Sequence, residues 1–184
     1  DLDRSQPLSD ALAATGVSAE VYALDVNDGA SVDELAARLG EVDVVVSNAG
    51  IGIDGSTEEL TIDDFRRSFE TNVLGSVRLL HAVLPTWRGR GSGRFIAVSS
   101  VAGAVGQPFN DAYCMSKFAL EGLLESLHPV IAQFGIHVSL VEPGPVAGDF
   151  ADKYAPGQGR GELQARGEQR HEGRLLQAPL VVPL

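Results

Sequence analysis

Tyr113-Cys-Met-Ser-Lys117 places a phenol and an ammonium four residues apart. The 184-residue chain has only three tyrosines and two lysines, so chance would give about 0.03 such pairs. On a helix these positions lie on one face, about one turn apart. A fixed cation favours the phenolate, so we expect Lys117 to lower the pKa of Tyr113 toward that of a general acid/base. The structural alternative is an amphipathic helix with Tyr113 half-buried and Lys117 reaching water.

Ser100 lies thirteen residues before Tyr113 and ends the run Gly93–Ser100. This run is short, apolar and bounded by glycines, which predicts a buried strand. Ligands of open α/β sheets bind outside the carboxyl ends of the strands, so Ser100 is placed where chemistry is expected. Alternatively, Ser99 and Ser100 cap the turn that follows.

Apolar runs alternate with segments of helical period along the chain. The predicted strands are Val21–Val26, Val42–Ser47, Gly93–Ser100 and His137–Val141. The predicted helices run from a capping box at Ser31-Val-Asp-Glu34 to Gly40, from a capping box at Thr61-Ile-Asp-Asp64 to about Trp87, and from Ala112 to Phe134. Pro85 and Pro129 would bend or end the last two helices. This alternation predicts βαβ units and a parallel sheet covered by helices.

Composition excludes several classes of function. The net charge of −11, from 25 acidic and 14 basic residues, argues against binding nucleic acid or an anionic membrane. One cysteine excludes an internal disulfide and fits a reducing, cytoplasmic compartment. The sequence has no apolar run of about 18 residues that would span a membrane, and no Cys/His cluster that would bind a metal. No serine has glycine at both −2 and +2, which disfavours a serine hydrolase.

Five sequence features occur together in one order. They are Asn48-Ala49-Gly50, Asn72, Ser100, Tyr113-x-x-x-Lys117 and Pro143-Gly144. Together they resemble the short-chain dehydrogenase/reductase family over about residues 20–150. The stretch from Gly106 to Gly122 is most similar to the estradiol 17-beta-dehydrogenase and retinol dehydrogenase branch. The resemblance implies an α/β, Rossmann-like, doubly wound parallel sheet with helices on both faces.

The resemblance also implies an activity, namely NAD(P)-dependent interconversion of an alcohol and its ketone or aldehyde on a bulky apolar, steroid- or retinoid-like substrate. Tyr113 would be the general acid/base, and Lys117 would lower its pKa and hold the nicotinamide ribose. Ser100 would bind the substrate oxygen, and Asn72 would hold a water linking Lys117 to solvent. Asn72 taken alone reads as an ordinary polar helix residue.

The cofactor would be NADP or NAD, with the branch favouring NADP. Besides Tyr113 and Lys117, the residues that the resemblance assigns to it are Asp25, Val26, Asn48, Ala49, Gly50, Pro143, Gly144 and Val146. Asp25 and Val26 would contact adenine, and the turn from Pro143 to Val146 would hold the carboxamide. Ala147 stands where the family usually has threonine. Asp25 alternatively begins an Asx-turn.

Gly50-Ile-Gly-Ile-Asp-Gly55 spells G-x-G-x-x-G, but the fingerprint should open a helix directly, whereas the next capping box begins at Thr61. We therefore interpret this segment as a loop on the substrate side. The glycine-rich loop of the family would precede residue 1, and Asp1-Leu-Asp3 resembles the segment beyond its second strand. We expect a truncated chain that lacks the first two strands and the C-terminal part.

The expected organisation is a partial dinucleotide-binding and catalytic domain over residues 1–155, then a flexible substrate loop or irregular tail over 156–184. The family commonly dimerises through its two long helices, which implies a homodimer or homotetramer. The alternative to an enzyme is a non-catalytic member that retains only the fold and the dimer surfaces.

Overall fold

Strands and helices alternate along the chain as the sequence predicts. The computed structural model describes residues 20–145, residues 11, 14–16 and 18, and the backbone of 155–156. The helices are α1 (Gly29–Leu39), α2 (Ile62–Phe69), α3 (Gly75–Arg90), α4 (Val101–Ala104) and α5 (Asp111–Ala132), with a π-helical turn (Glu70–Leu74) between α2 and α3. The strands are β1 (Val44–Ser47), β2 (Ile53–Asp54), β3 (Gly93–Val98), β4 (Ile136–Val141) and β5 (Ala155–Pro156).

The main sheet is parallel and has the order β1-β3-β4. Val44 pairs with Arg94, and Gly93 pairs with Ile136. Strands β2 and β5 form a separate parallel pair. All three carboxyl ends of the main sheet therefore lie at one edge, as the predicted Rossmann-like α/β fold requires.

One face of this sheet forms the core. Side chains at alternate positions of β3 and β4, such as Phe95 and Val138, are buried against α3 and α5. Trp87 of α3 and Leu124 of α5 are also fully buried there. The intervening residues Ile96 and Ser139 are only partly buried within the described residues. Burial of every second residue is the pattern of a strand with one fully packed face.

The predicted strand Val21–Val26 is wrong, because residues 20–25 join no ladder in the described part of the chain. A strand needs a hydrogen-bonded neighbour, and an apolar run alone does not supply one. The capping box at Ser31 is also wrong. Asp28 caps α1 by accepting a hydrogen bond from Ala30 N at 2.9 Å, whereas Ser31 Oγ accepts one from Asp25 N.

The second capping box is confirmed. Thr61 accepts a hydrogen bond from Asp64 N, and the Asp64 carboxylate accepts from Thr61 N at 3.0 Å. Neither proline ends its helix, since α3 passes Pro85 to reach Arg90 and α5 passes Pro129 to reach Ala132. The long predicted helix is interrupted instead by the π-helical turn, and such turns often occur at functional sites.

The outer edge of β1 pairs with no strand in the described part of the chain. Val44 and Val46 are 46% and 57% exposed on this strand. A cavity of about 640 Å³ lies beside them and is also lined by Leu24, Val32 and Val83. Among the described helices, none has the length and apolar character needed to cross a lipid bilayer.

Candidate active site

Ser100 stands where two strand ends meet. Ser99 N donates to Val141 O at 2.8 Å, and Val101 N donates to Pro143 O at 3.1 Å, so the segments after β3 and β4 are tied together. Ser100 caps α4 by accepting a hydrogen bond from Ala102 N at 3.1 Å. Ser100 therefore both caps α4 and lies just beyond the carboxyl end of β3.

Tyr113 lies in the first turn of α5 and is 5% exposed. Burial raises the pKa of the Tyr113 phenol, a hydrogen bond from Ser100 lowers it by less, and Cys114 raises it, so the net pKa is raised. The predicted lowering of the Tyr113 pKa is therefore wrong. Removing water from a phenolate is costly, and this cost dominates in the buried site.

Lys117 does not reach water, because it is only 4% exposed. Its Nζ donates to Val98 O at 2.8 Å and lies 5.6 Å from the centroid of the Tyr113 ring. Burial lowers the pKa of Lys117 to about 8, and the carboxylate of Glu121 opposes that change. The amphipathic-helix alternative therefore fails for Lys117, whose ammonium points toward the end of β3 and the Tyr113 ring.

Asn72 lies in the π-helical turn and is 1% exposed. Its Oδ1 accepts from Ile51 N at 2.8 Å, while its Nδ2 donates to Ile51 O at 2.9 Å and to Ser116 Oγ at 2.8 Å. Asn72 thus joins the loop after β1 to α5. These bonds exclude the interpretation of Asn72 as an ordinary polar residue on a helix surface.

Gly50 lies beside both Asn72 and Lys117. A Cβ on Gly50 would be 3.2 Å from Asn72 Oδ1 and 3.8 Å from Lys117 Nζ. Asn48 and Ala49, which follow β1, are exposed. The loop therefore offers exposed backbone and small side chains close to the Tyr113–Lys117 pair, which suits close approach by a ligand.

The remaining predicted cofactor residues lie in separate segments of the chain. Asp25 is exposed and forms the Asx-turn, since its Oδ1 accepts from Asn27 N at 2.9 Å. Val26 is 8% exposed, and its carbonyl accepts from Arg78 Nη1 at 3.2 Å. Pro143 and Gly144 follow β4 and are partly exposed. Val146 and Ala147 lie outside the described residues, as does most of the predicted tail.

The segment Gly50–Gly55 does not open a helix. It contains β2 and then Gly55, which bridges to Asn110 with a φ of 150°. The next helix begins at Ile62. The rejection of this segment as a phosphate-binding fingerprint is therefore confirmed, and its assignment to the substrate side stays a prediction.

Two polar side chains near the pair were not predicted from the sequence. Ser116 links Asn72 to α5, and its own hydroxyl donates to Tyr113 O at 2.7 Å. Glu121 follows Lys117 by four residues on α5 and is buried. The same i, i+4 spacing that drew attention to Tyr113 and Lys117 also relates Lys117 to Glu121, so the signal was present in the sequence.

The chain belongs to the short-chain dehydrogenase family, whose family model ("short chain dehydrogenase") matches residues 2–159. Human 17-beta-hydroxysteroid dehydrogenase type 1 is 49% identical over 145 residues, which are 78% of this chain and 44% of the relative. Human retinol dehydrogenase 8 is 46% identical over 155 residues, or 83% of this chain and 50% of the relative. The chain thus spans about half the length of the curated relatives it matches.

Solved structures show the same fold. A short-chain dehydrogenase from Streptomyces avermitilis superposes with a TM-score of 0.79 at 40% identity, covering 91% of this chain and 64% of that one. A metagenomic short-chain oxidoreductase in complex with NADP superposes with a TM-score of 0.74 at 29% identity, covering 79% and 67%. The three-stranded parallel sheet described above is therefore part of the fold that these family members share.

Proposed function

We propose that this chain carries the catalytic face of an NAD(P)-dependent oxidoreductase that interconverts an alcohol and its ketone or aldehyde. The observation that carries the proposal is the meeting of Ser100, Tyr113 and Lys117 at the carboxyl end of β3. Ser100 hydrogen-bonds the Tyr113 phenol, and the Lys117 ammonium lies over the Tyr113 ring. Membership of the short-chain dehydrogenase family supports the same conclusion.

Tyr113 is the general acid/base of this proposal. Its raised pKa keeps the phenol protonated at neutral pH, so in ketone reduction it donates that proton to the substrate oxygen. The Ser100 hydroxyl donates a hydrogen bond to the same oxygen as negative charge develops there. The Lys117 ammonium stabilises the electron-rich phenolate that remains, because a cation over an aromatic face is attracted to it.

The residues around Gly50 fit a nicotinamide cofactor. The gap beside Gly50 would be filled by a methyl group, and the exposed Asn48 and Ala49 lie next to it. When bound, the cofactor would supply or accept the hydride. Lys117 and Asn72 border this gap, which supports their assignment to cofactor binding and to a proton path toward solvent. NADP is favoured because similar structures hold it.

A bulky apolar substrate of the steroid or retinoid class is proposed from the two human relatives, whose names specify such molecules. A second copy of the chain is proposed as partner through α3 and α5. On α5, Met115, Phe118 and Val130 are 41%, 46% and 55% exposed, which is more apolar surface than a solvent-facing helix needs.

The test is reduction of a steroid ketone and of retinal with NADPH and with NADH, comparing wild type with Tyr113→Phe. The variant should lose turnover while keeping its circular dichroism and melting temperature. Retained turnover would exclude Tyr113 as the acid. If wild type neither turns over nor binds NADP calorimetrically, the non-catalytic alternative is favoured.

A further inference from the structure

Glu121 is a buried carboxylate on the same helix as the proposed catalytic pair. It lies one turn after Lys117 on α5 and is 9% exposed. Its Oε1 has no hydrogen-bond partner among the described residues. A buried carboxylate without such a partner is costly, so the cost must be offset by an electrostatic role or by protonation.

The surroundings of Glu121 hold it in place. A Cβ on Gly103 would be 2.8 Å from Ser99 Oγ and 3.0 Å from both Glu121 Cγ and Oε1. Ser99 and Glu121 therefore both face the bare backbone of α4. Ser99 is 3% exposed and Glu142, which follows β4, is 6% exposed. The carboxylate is confined between α4, α5 and the ends of β3 and β4.

The charges around Glu121 favour its interaction with Lys117. Burial has the largest effect and raises the pKa of Glu121, the carboxylates of Glu142 and Glu125 also raise it, and Lys117 lowers it by less, so the net pKa is raised. In turn, Glu121 opposes the lowering of the Lys117 pKa by burial. Asn72 of the π-helical turn is neutral, and its Oδ1 and Lys117 Nζ both lie within 4 Å of where a Cβ on Gly50 would stand. Each member of the pair thus favours the charged form of the other.

We propose that Glu121 is a positioning residue that acts through Lys117, keeping the ammonium charged and over the Tyr113 ring. This inference rests on the proposed function, because a charged Lys117 matters for turnover only if Tyr113 exchanges protons with substrate. The physical claim, that the Glu121 carboxylate retains the proton on Lys117, is independent of turnover and can be measured without cofactor or substrate.

The sequence offers a direct measurement, because its two lysines are Lys117 and Lys153. Protein labelled with carbon-13 at the lysine ε position, carrying Lys153→Arg, gives one lysine signal, whose shift is followed against pH. In the otherwise wild-type protein it should titrate at about 8. In Glu121→Gln the midpoint should fall by about half a unit or more, since a stabilising opposite charge is lost.

Glu125→Gln is the matched control, since Glu125 is an exposed carboxylate on the same helix, one turn further on. It should not lower the midpoint. Unfolding would raise the titration midpoint instead, because the pKa of a solvated lysine returns toward its ordinary value of 10.5. If Glu121→Gln does not fold, Glu121→Met replaces it. Methionine removes the charge without placing an unpaired amide in the buried site, so the Lys117 midpoint should again fall.

An unchanged or raised midpoint in a folded Glu121→Gln or Glu121→Met protein overturns the proposal. Ketone reduction adds a second measurement. The alkaline limb of its pH–rate profile should move to lower pH in Glu121→Gln, by the same amount as the Lys117 midpoint. If wild type shows no turnover while the Lys117 midpoint still falls, the proposed function fails and the electrostatic role of Glu121 stands.

Discussion

Asn72 and Ile51 form a closed pair of hydrogen bonds between one side-chain amide and one residue's backbone. Ile51 N donates to Asn72 Oδ1 at 2.8 Å, and Asn72 Nδ2 donates to Ile51 O at 2.9 Å. The π-helical turn thereby fixes the loop that follows β1, and this loop includes Gly50. The position of Gly50 beside Lys117 therefore depends on the side-chain amide of Asn72, which belongs to the π-helical turn.

Asn72→Ala should destabilise the protein by about 1–3 kcal/mol, because it leaves the partly buried backbone groups of Ile51 without the partner that Asn72 supplies. Urea denaturation followed by fluorescence of the single tryptophan measures this. Asn27→Ala is the control, since Asn27 is exposed, and it should change stability by less than about 0.5 kcal/mol. Equal stabilities for the two variants would show that the Asn72–Ile51 pair contributes nothing.

Gly50→Ala tests the gap between the loop and the catalytic pair. The added methyl would lie 3.2 Å from Asn72 Oδ1, tighter than an ordinary contact, so the neighbouring groups must shift slightly. We expect a stability loss of about 1 kcal/mol or less and a larger loss of NADP affinity, tenfold or more as an order of magnitude, because the methyl occupies the proposed cofactor approach. Calorimetric titration with NADP and thermal denaturation separate the two effects.

The matched control is Gly122→Ala on α5, where a Cβ would meet nothing within 4 Å. This change should stabilise the helix by about 0.5–1 kcal/mol and leave NADP binding unchanged. Equal NADP affinities for the two alanine variants would place the cofactor away from Gly50.

Asp64→Asn should cost about 1 kcal/mol at neutral pH, because the carboxylate closes the capping box of α2. The Thr61 hydroxyl lowers the pKa of Asp64 below its ordinary value of 3.8, while burial opposes the change. A lowered carboxyl pKa stabilises the folded state above 3.8, and this stabilisation is lost as the pH falls through the folded value. The difference between variant and wild type should therefore shrink in acid.

Urea denaturation at neutral pH and at about pH 3 measures this trend. Asp63→Asn is the control, since Asp63 is exposed and its ion pair with Arg66 at 2.8 Å is solvated. It should have little effect at either pH. If Asp64→Asn lowered the free energy of unfolding by the same amount at both pH values, the charge of Asp64 would not be what stabilises the cap of α2.

Cys114 should react slowly with thiol reagents. It is 7% exposed, and burial raises the pKa of its thiol. Fewer thiolates form near neutral pH, so an aromatic disulfide reagent should modify the folded protein at least about tenfold more slowly than the urea-unfolded chain. The rate should rise as the pH passes 9.0, the ordinary value for cysteine. Similar rates in the folded and unfolded chains would exclude a buried thiol.

Local patterns predicted well those elements whose partners lie nearby. β3 and β4 were predicted from apolar runs, and each finds a parallel neighbour in the described sheet. The Thr61 capping box is self-contained within four residues. The run Val21–Val26 failed because strand formation needs a neighbour, which the run itself does not specify. Ser31 failed because Asp28 competed successfully for the first turn of α1.

The site residues show the same division. The Tyr113–Lys117 spacing and the place of Ser100 after β3 indicated which residues would meet. They did not indicate how deeply the pair would be buried, and burial decided the direction of the Tyr113 pKa. The role of Asn72 as a link to Ile51 depends on contacts between distant segments, which no local pattern encodes.

The outer edge of β1 has a consequence for the solution behaviour of this polypeptide. Val44 and Val46 are exposed along a strand whose outer backbone groups pair with no other strand in the described part of the chain. Such an edge is a template on which another chain can add as a strand. The polypeptide should therefore associate more as its concentration rises. A lysine in place of Val46 would make that edge repel its own copies.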